Sequence, residues 1–218
     1  MPTKLLPTLD LAIACEVNLN EAAKMWLQSR SASTENPLLK PEITQQMIDE
    51  LHAQRRVEWS YGSYLEDRSI LLRGSYLDET GGYIHLGVDV NVPPNTPIAA
   101  PYDATIVNIF DDGNTPQGWG PRLILKPADE TLPYLVLGHL TKLAFTVGDQ
   151  IKAGQSLAAV APAPYNGDWF PHLHIQQIAR HTVAHHELDN YQSLDGYGHA
   201  REITRLKDTY PDPTWLVA

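Results

Sequence analysis

Ala104-Thr-Ile-Val-Asn-Ile-Phe110 is a run of mostly β-branched and aliphatic side chains, closed by the turn cluster Asp111-Asp-Gly-Asn114. It shows no helical spacing, so it predicts a strand. The same pattern recurs on both sides. Leu86–Val92 precedes it, and Arg122–Lys126, Tyr134–Leu140, Ser156–Val160 and His172–Ile178 follow. Turn clusters such as Pro93-Pro-Asn95 and Tyr165-Asn-Gly-Asp168 separate these runs. Together they predict a mainly β fold, an antiparallel sheet or sandwich spanning residues 60–180.

Upstream, the period changes. Asn20 is expected to cap a helix through about Arg30, with Ala22, Ala23, Met25, Trp26 and Leu27 on its apolar side. Pro41 suits the first turn of a second helix to about Arg56, in which Ile43, Met47, Ile48 and Leu51 recur at helical spacing. Residues 1–59 are therefore expected to form a helical extension, 60–180 the β domain, and 181–218 a polar, proline-bearing tail that wraps. The two helices are expected to pack on the back of the sheet; covering a catalytic cleft is the alternative.

The net charge is −10, from 26 acidic and 16 basic residues, which argues against nucleic acid as a partner because phosphate binding needs a basic face. Cys15 is the only cysteine, so a disulfide framework and a thiolate metal cage are excluded. Any metal must use histidine and carboxylate ligands. The start lacks a signal peptide's apolar stretch, and no run reaches membrane-span length, so a cytoplasmic location is expected.

Four of the nine histidines fall in the β-rich region. His85 and Asp89 stand four apart in His85-Leu-Gly-Val-Asp89, and His172 and His174 two apart in Pro171-His-Leu-His-Ile175. Even separations on a strand share a face. His139 ends the apolar run Tyr134-Leu-Val-Leu-Gly-His139, where an unpartnered imidazole would be costly. Three strands could thus gather four imidazoles and one carboxylate on one side of a sheet. A catalytic zinc site needs three such ligands and an open fourth position. Two further histidines suit proton transfer and stabilisation of a developing oxyanion. Each motif alone is weak, since strand residues facing water give the same spacings; their order and turn-flanked settings strengthen the set. A sugar hydrolase would want paired carboxylates, and only Asp89 lies within these motifs. A cupin-type oxygenase would want a glutamate shortly after the histidine pair, where Gln176, Gln177 and Ile178 stand.

The order His-x-x-x-Asp, Gly138-His-Leu140 and Pro171-His-Leu-His-Ile175 resembles the M23, or lysostaphin-like, zinc metallopeptidases. The resemblance runs over about residues 82–178. It includes Asn95-Thr-Pro-Ile-Ala-Ala-Pro101, Ala104-Thr-Ile-Val107 and Val147-Gly-Asp-Gln-Ile-Lys-Ala-Gly-Gln155. It implies a lysostaphin-like β fold, Zn2+ held by His85, Asp89 and His174, and His139 with His172 handling the water and the oxyanion. It also implies endopeptidase cleavage of cell-wall peptides, with a peptide or peptidoglycan-like substrate. The segments Tyr64-Leu-Glu-Asp-Arg68 and Tyr210-Pro-Asp-Pro213 are similar to a branch of M23 domains fused to aminotransferase-type enzymes. With the absent signal peptide, that similarity favours an intracellular zinc amidohydrolase of a small peptide or amide. A non-catalytic peptidoglycan-binding regulator is the reading from another class, but all five functional positions are filled.

Trp169, Tyr165 and Asn166, in the unusual lead Ala161-Pro-Ala-Pro-Tyr-Asn-Gly-Asp-Trp-Phe-Pro171, are candidate substrate contacts. His181, His185 and His186, with Glu187 and Asp189, could hold a second metal, though a solvated segment is the expectation. Glu66, Asp67 and Arg68 are expected to form a structural ion pair rather than a charged rim to the cleft.

Overall fold

A computed structural model describes residues 3–30, 35–113, 115–185 and 194–217. Its centre is an eight-stranded sheet. In chain order the strands are β1 (Ala14–Val17), β2 (Trp59–Gly62), β3 (Ile84–His85), β4 (Val88–Asn91), β5 (Pro97–Ala99), β6 (Ala104–Phe110), β7 (Arg122–Pro127), β8 (Tyr134–Gly138), β9 (Gln150–Ile151), β10 (Ser156–Ala159), β11 (His172–Ile178) and β12 (Tyr197–Gly198). The main sheet runs β1-β2-β4-β11-β8-β7-β6-β9, while β10 with β5 and β12 with β3 form two-stranded ribbons. The fold is mainly β, and among the described residues every strand pair is antiparallel except the edge pair of β1 with β2.

Side-chain alternation in the central strands explains how one sheet serves both a core and a site. Val88, Val90, Leu123, Leu125, Leu135, Leu137, Leu173 and Ile175 point to one face and join the largest apolar cluster. Their neighbours Asp89, Val136, His172, His174, Gln176 and Ile178 point to the other face. Part of that second face is covered by the carboxy-terminal segment. Leu194, Leu206 of helix α4 (Ile203–Thr209) and Tyr210 pack there with Ile84, Ile124, Val136 and Ile178. Both faces are therefore buried, and the polar residues of the second face sit in a pit between apolar walls.

Helices α1 (Leu19–Gln28) and α2 (Pro41–Arg55) precede β2, and a single turn, α3 (Leu77–Thr80), precedes β3. The cap of α1 is Asn18, whose Oδ1 accepts from the Glu21 N–H, rather than Asn20. Asn20 lies inside the first turn, with its Oδ1 accepting instead from the Ile70 and Leu71 N–H groups. The helices do not lie on the back of the sheet. They pack, through Leu19, Ala22, Ala23, Met47 and Ile48, with Leu71, Leu72, Leu77 and Phe170. Among the described residues, no helix is long and apolar enough to cross a membrane.

Candidate metal centre

The pit on the second face brings together all five residues singled out for chemistry. Pairing of β11 with β4 sets His174 opposite Asp89, and pairing with β8 sets it opposite Gly138, next to His139. His85 arrives from β3 after a break at Leu86-Gly87, so His85 and Asp89 lie on two strands rather than one. Gly87 permits that arrangement, because a side chain there would collide with the Ile175 carbonyl and the His174 ring. All five side chains are buried.

Three donor atoms converge. His85 Nε2 lies 3.0 Å from His174 Nδ1, His174 Nδ1 lies 3.0 Å from Asp89 Oδ1, and His85 Nε2 lies 3.4 Å from the same oxygen. Donors around a tetrahedral zinc at 2.0–2.1 Å stand about 3.3 Å apart, which these separations match. His174 Nε2 donates to Gln176 Oε1 at 3.0 Å, which leaves Nδ1 with its lone pair toward the cluster. Gln176 is itself anchored by donating to the Asp195 carbonyl at 3.2 Å. His85 Nε2, His174 Nδ1 and Asp89 Oδ1 crowd one point, where a dication can take a lone pair from each of them at once. The residues present therefore fit a zinc ion.

Burial pushes the Asp89 carboxyl up, but His85, Arg68 and His172 outweigh it and hold the group well below the usual carboxylate range. Burial holds the imidazoles of His85, His139 and His172 below their ordinary value, with Arg68 adding to the effect at His85 and the neighbouring imidazoles at His139. Deprotonated ligands and an ionised carboxylate are what metal binding needs.

The other two histidines face the donors with a defined tautomer. His139 Nδ1 donates to the Asn166 carbonyl and His172 Nδ1 to the Phe170 carbonyl, each at 2.7 Å, so both Nε2 atoms keep a lone pair. The two rings are 4.4 Å apart. His139 has φ of 62°, a left-handed conformation uncommon for histidine. Its N–H donates to the Trp119 carbonyl and its carbonyl accepts from Ala161, which pin it there. Trp119 stacks against His139 and meets the edge of His174.

The cavity over these groups measures about 60 Å³ and is walled by Leu71, Leu72, Tyr76, Trp169, Phe170 and Tyr197. Trp169 is thus on the wall, where the sequence places a substrate contact. Tyr165 is exposed, and neither it nor Asn166 is among the lining residues. Asn166 is fully buried inside its own loop, donating to the Trp169 and Phe170 carbonyls and accepting from the Trp169 N–H, and so fixes the carbonyl that orients His139. No described residue of α1 or α2 lines the cavity; the helices support the Leu71-Leu72 wall from behind. His181 pairs with Asp208 at 3.0 Å, and both are exposed. Of the rest of the second cluster, the His185 side chain and all of His186, Glu187 and Asp189 lie outside what the structure describes. Sequence reasoning missed Gln176, Trp119 and Tyr197, and placed Arg68 outside the chemistry.

Residues 83–187, slightly under half of the 218-residue chain, match the model of Peptidase family M23. Over that stretch the chain is similar to peptidase family M23. Similar solved structures include a zinc-containing peptidase from Vibrio cholerae, at 23% identity over 45% of this chain and 28% of that one, with a TM-score of 0.38. LytU is 28% identical over 44% of this chain and 61% of that one, with a TM-score of 0.36. The catalytic domain of the antimicrobial peptidase lysostaphin from Staphylococcus simulans is 26% identical over 57% of this chain and 80% of that one, with a TM-score of 0.38. This chain spans only 28% and 61% of the length of the first two. The His85, Asp89, His139, His172 and His174 cluster lies wholly within the M23 stretch, whereas Arg68 and α1 lie outside it.

Proposed function

We propose that the protein is a zinc metallopeptidase in which His85, Asp89 and His174 hold the metal and His139 and His172 carry the proton transfers. The observation that supports this reading most is the convergence of three metal-type donors, at tetrahedral spacing, with two tautomer-fixed imidazoles in one cavity. Zinc at that point supplies Lewis acidity toward a carbonyl and a water. The chain's own groups do the rest. His139 and His172, neutral because burial disfavours their charged forms, can each take a proton at Nε2. Once protonated, the same nitrogen donates a hydrogen bond to negative charge developing on the carbonyl oxygen. The walls of Leu71, Leu72, Trp169 and Phe170 limit water and strengthen both interactions.

By family, the substrate is a cell-wall-type peptide cut internally. The small cavity and its apolar walls favour a second reading, hydrolysis of a short peptide or small amide. Zinc-loaded protein, with the His139→Ala variant alongside, is incubated with purified cell-wall peptides and with a mixed-sequence peptide library, and products are read by mass spectrometry. Cleavage by wild type only is expected and identifies the bond. Absence of cleavage from both pools, with zinc bound, sinks the peptidase reading.

A further inference from the structure

One buried charge beside the donors has no part in the hydrolysis so far described. Arg68 is 2% exposed, and its Nη1 lies 2.5 Å from Asp89 Oδ2, the oxygen that the donor cluster leaves over. On its other side is Glu66, also buried, with Oε1 3.9 Å from Arg68 Nε. Glu66 is held in turn by two backbone donors. Its Oε1 accepts from the N–H of Asn20 at 2.9 Å, in the first turn of α1, and its Oε2 accepts from Ser63 at 3.3 Å. The strand beneath leaves room for this pair. A Cβ at Gly62 of β2 would stand 3.2 Å from Arg68 Nη2 and 3.4 Å from Glu66 Oε2. An unbroken path of hydrogen bonds and ion pairs therefore leads from the amino-terminal turn of α1 through Glu66 and Arg68 to Asp89.

A buried guanidinium is costly to desolvate, and replacing such a pair by apolar groups is often neutral for stability, so stability alone does not account for it. What it does supply is orientation. Resting on the reading of this cluster as a metal centre, we propose that Arg68 is a positioning residue for the metal, locking the Asp89 carboxylate so that Oδ1 alone faces His85 and His174. With Oδ2 taken by the guanidinium, Asp89 binds through one oxygen and leaves a coordination position open, as a catalytic zinc site requires. Glu66 aims the guanidinium, and α1 anchors Glu66, so the amino-terminal helix is part of the support of the metal centre although it touches none of the donors.

The sign of the effect separates positioning from simple charge. Removing a cation beside a dication strengthens the attraction of the site for metal, whereas releasing a carboxylate ligand weakens it. Full-length wild type, Arg68→Gln and Arg68→Lys are compared by chelator competition for zinc and by the visible spectrum of the cobalt-loaded protein, with the unfolding curve of the metal-free protein as a check on fold. Zinc affinity is expected to fall about 10–100-fold in Arg68→Gln, with altered cobalt bands. Arg68→Lys, which restores the charge without the planar fork, falls between. Zinc affinity in Arg68→Gln equal to or above wild type, with an unchanged cobalt spectrum, overturns the proposal. If Arg68→Gln does not fold, Arg68→Lys decides, and wild-type affinity and spectrum there overturn it equally. A wild-type protein that binds neither ion at one per chain refutes the metal-centre reading itself, a different result from the one that removes Arg68 alone.

Discussion

Gly87→Ala adds a single methyl group at the break between His85 and Asp89, and its consequences can be worked from the packing. The new carbon would stand 2.4 Å from the Ile175 carbonyl oxygen, 2.9 Å from His174 Cε1 and 3.0 Å from His174 Nε2. An ordinary carbon–oxygen contact needs about 3.3 Å, so the carbonyl must retreat by roughly 0.9 Å. It belongs to β11, where Ile175 pairs with Val88, so retreat separates the two strands that carry Asp89 and His174. Overpacking of this kind costs about 1–3 kcal/mol. For a chain of this length each kcal/mol lowers the Tm by about 2–4 °C, so the metal-free protein is expected to lose roughly 2–12 °C. Displacing the His174 ring also weakens zinc, by at least about 10-fold. A tenfold loss of affinity removes about 1.4 kcal/mol of zinc-induced stabilisation at a fixed, saturating concentration. Thermal unfolding with and without zinc, combined with chelator competition, reads both effects. An unchanged metal-free Tm together with an unchanged zinc affinity would refute the close approach of Gly87 to β11 as the constraint on this site.

The remaining predictions concern the donors and the titrating groups. His174→Ala removes one of the three proposed ligands and is expected to abolish stoichiometric zinc binding; full zinc occupancy in that variant contradicts the ligand assignment. His139→Ala is expected to keep the zinc and lose about 10²–10⁴-fold in turnover, the typical worth of a positioned acid–base group. The metal-free protein should lose stability as the pH drops below about 6.5. His85, His139 and His172 are held below their ordinary value chiefly by burial, and half-buried His52 likewise. Between the folded and unfolded values the unfolded chain binds more protons, so stability rises with pH across that window and is complete above it. Each fully buried imidazole contributes a slope of at most about 1.4 kcal/mol per pH unit. Denaturant midpoints that are flat from pH 5 to 7 would show that these imidazoles are not held neutral by the fold.

The longest strands were the most legible part of this chain, because they are long enough for a pattern to declare itself. Ala104–Phe110 and His172–Ile178 are strands over the residues the sequence reading expects, and His172 and His174 share a face because they are two apart. The unread strands had no such chance. Pro97–Ala99, Gln150–Ile151 and Tyr197–Gly198 are too short for any period, and Ala14–Val17 pairs in parallel with Trp59–Gly62 only because the fold brings them together. The left-handed turn at His139 was hidden for a similar reason: it is imposed by Trp119 and Ala161, from two other loops. Arg68 was within reach. Glu66 and Arg68 are two apart, as are His172 and His174, and with Asp67 between them they form a charged alternation beside a glycine-bearing strand. Read as strand-like spacing, it places Glu66 and Arg68 on one side and Asp67 on the other, and in the fold Glu66 and Arg68 are buried beside Asp89 while Asp67 is exposed. What spacing could not supply is burial. An exposed Arg68 would be a rim charge worth little, and only its enclosure by Gly62, Glu66 and Asp89 turns the same three letters into support for a ligand.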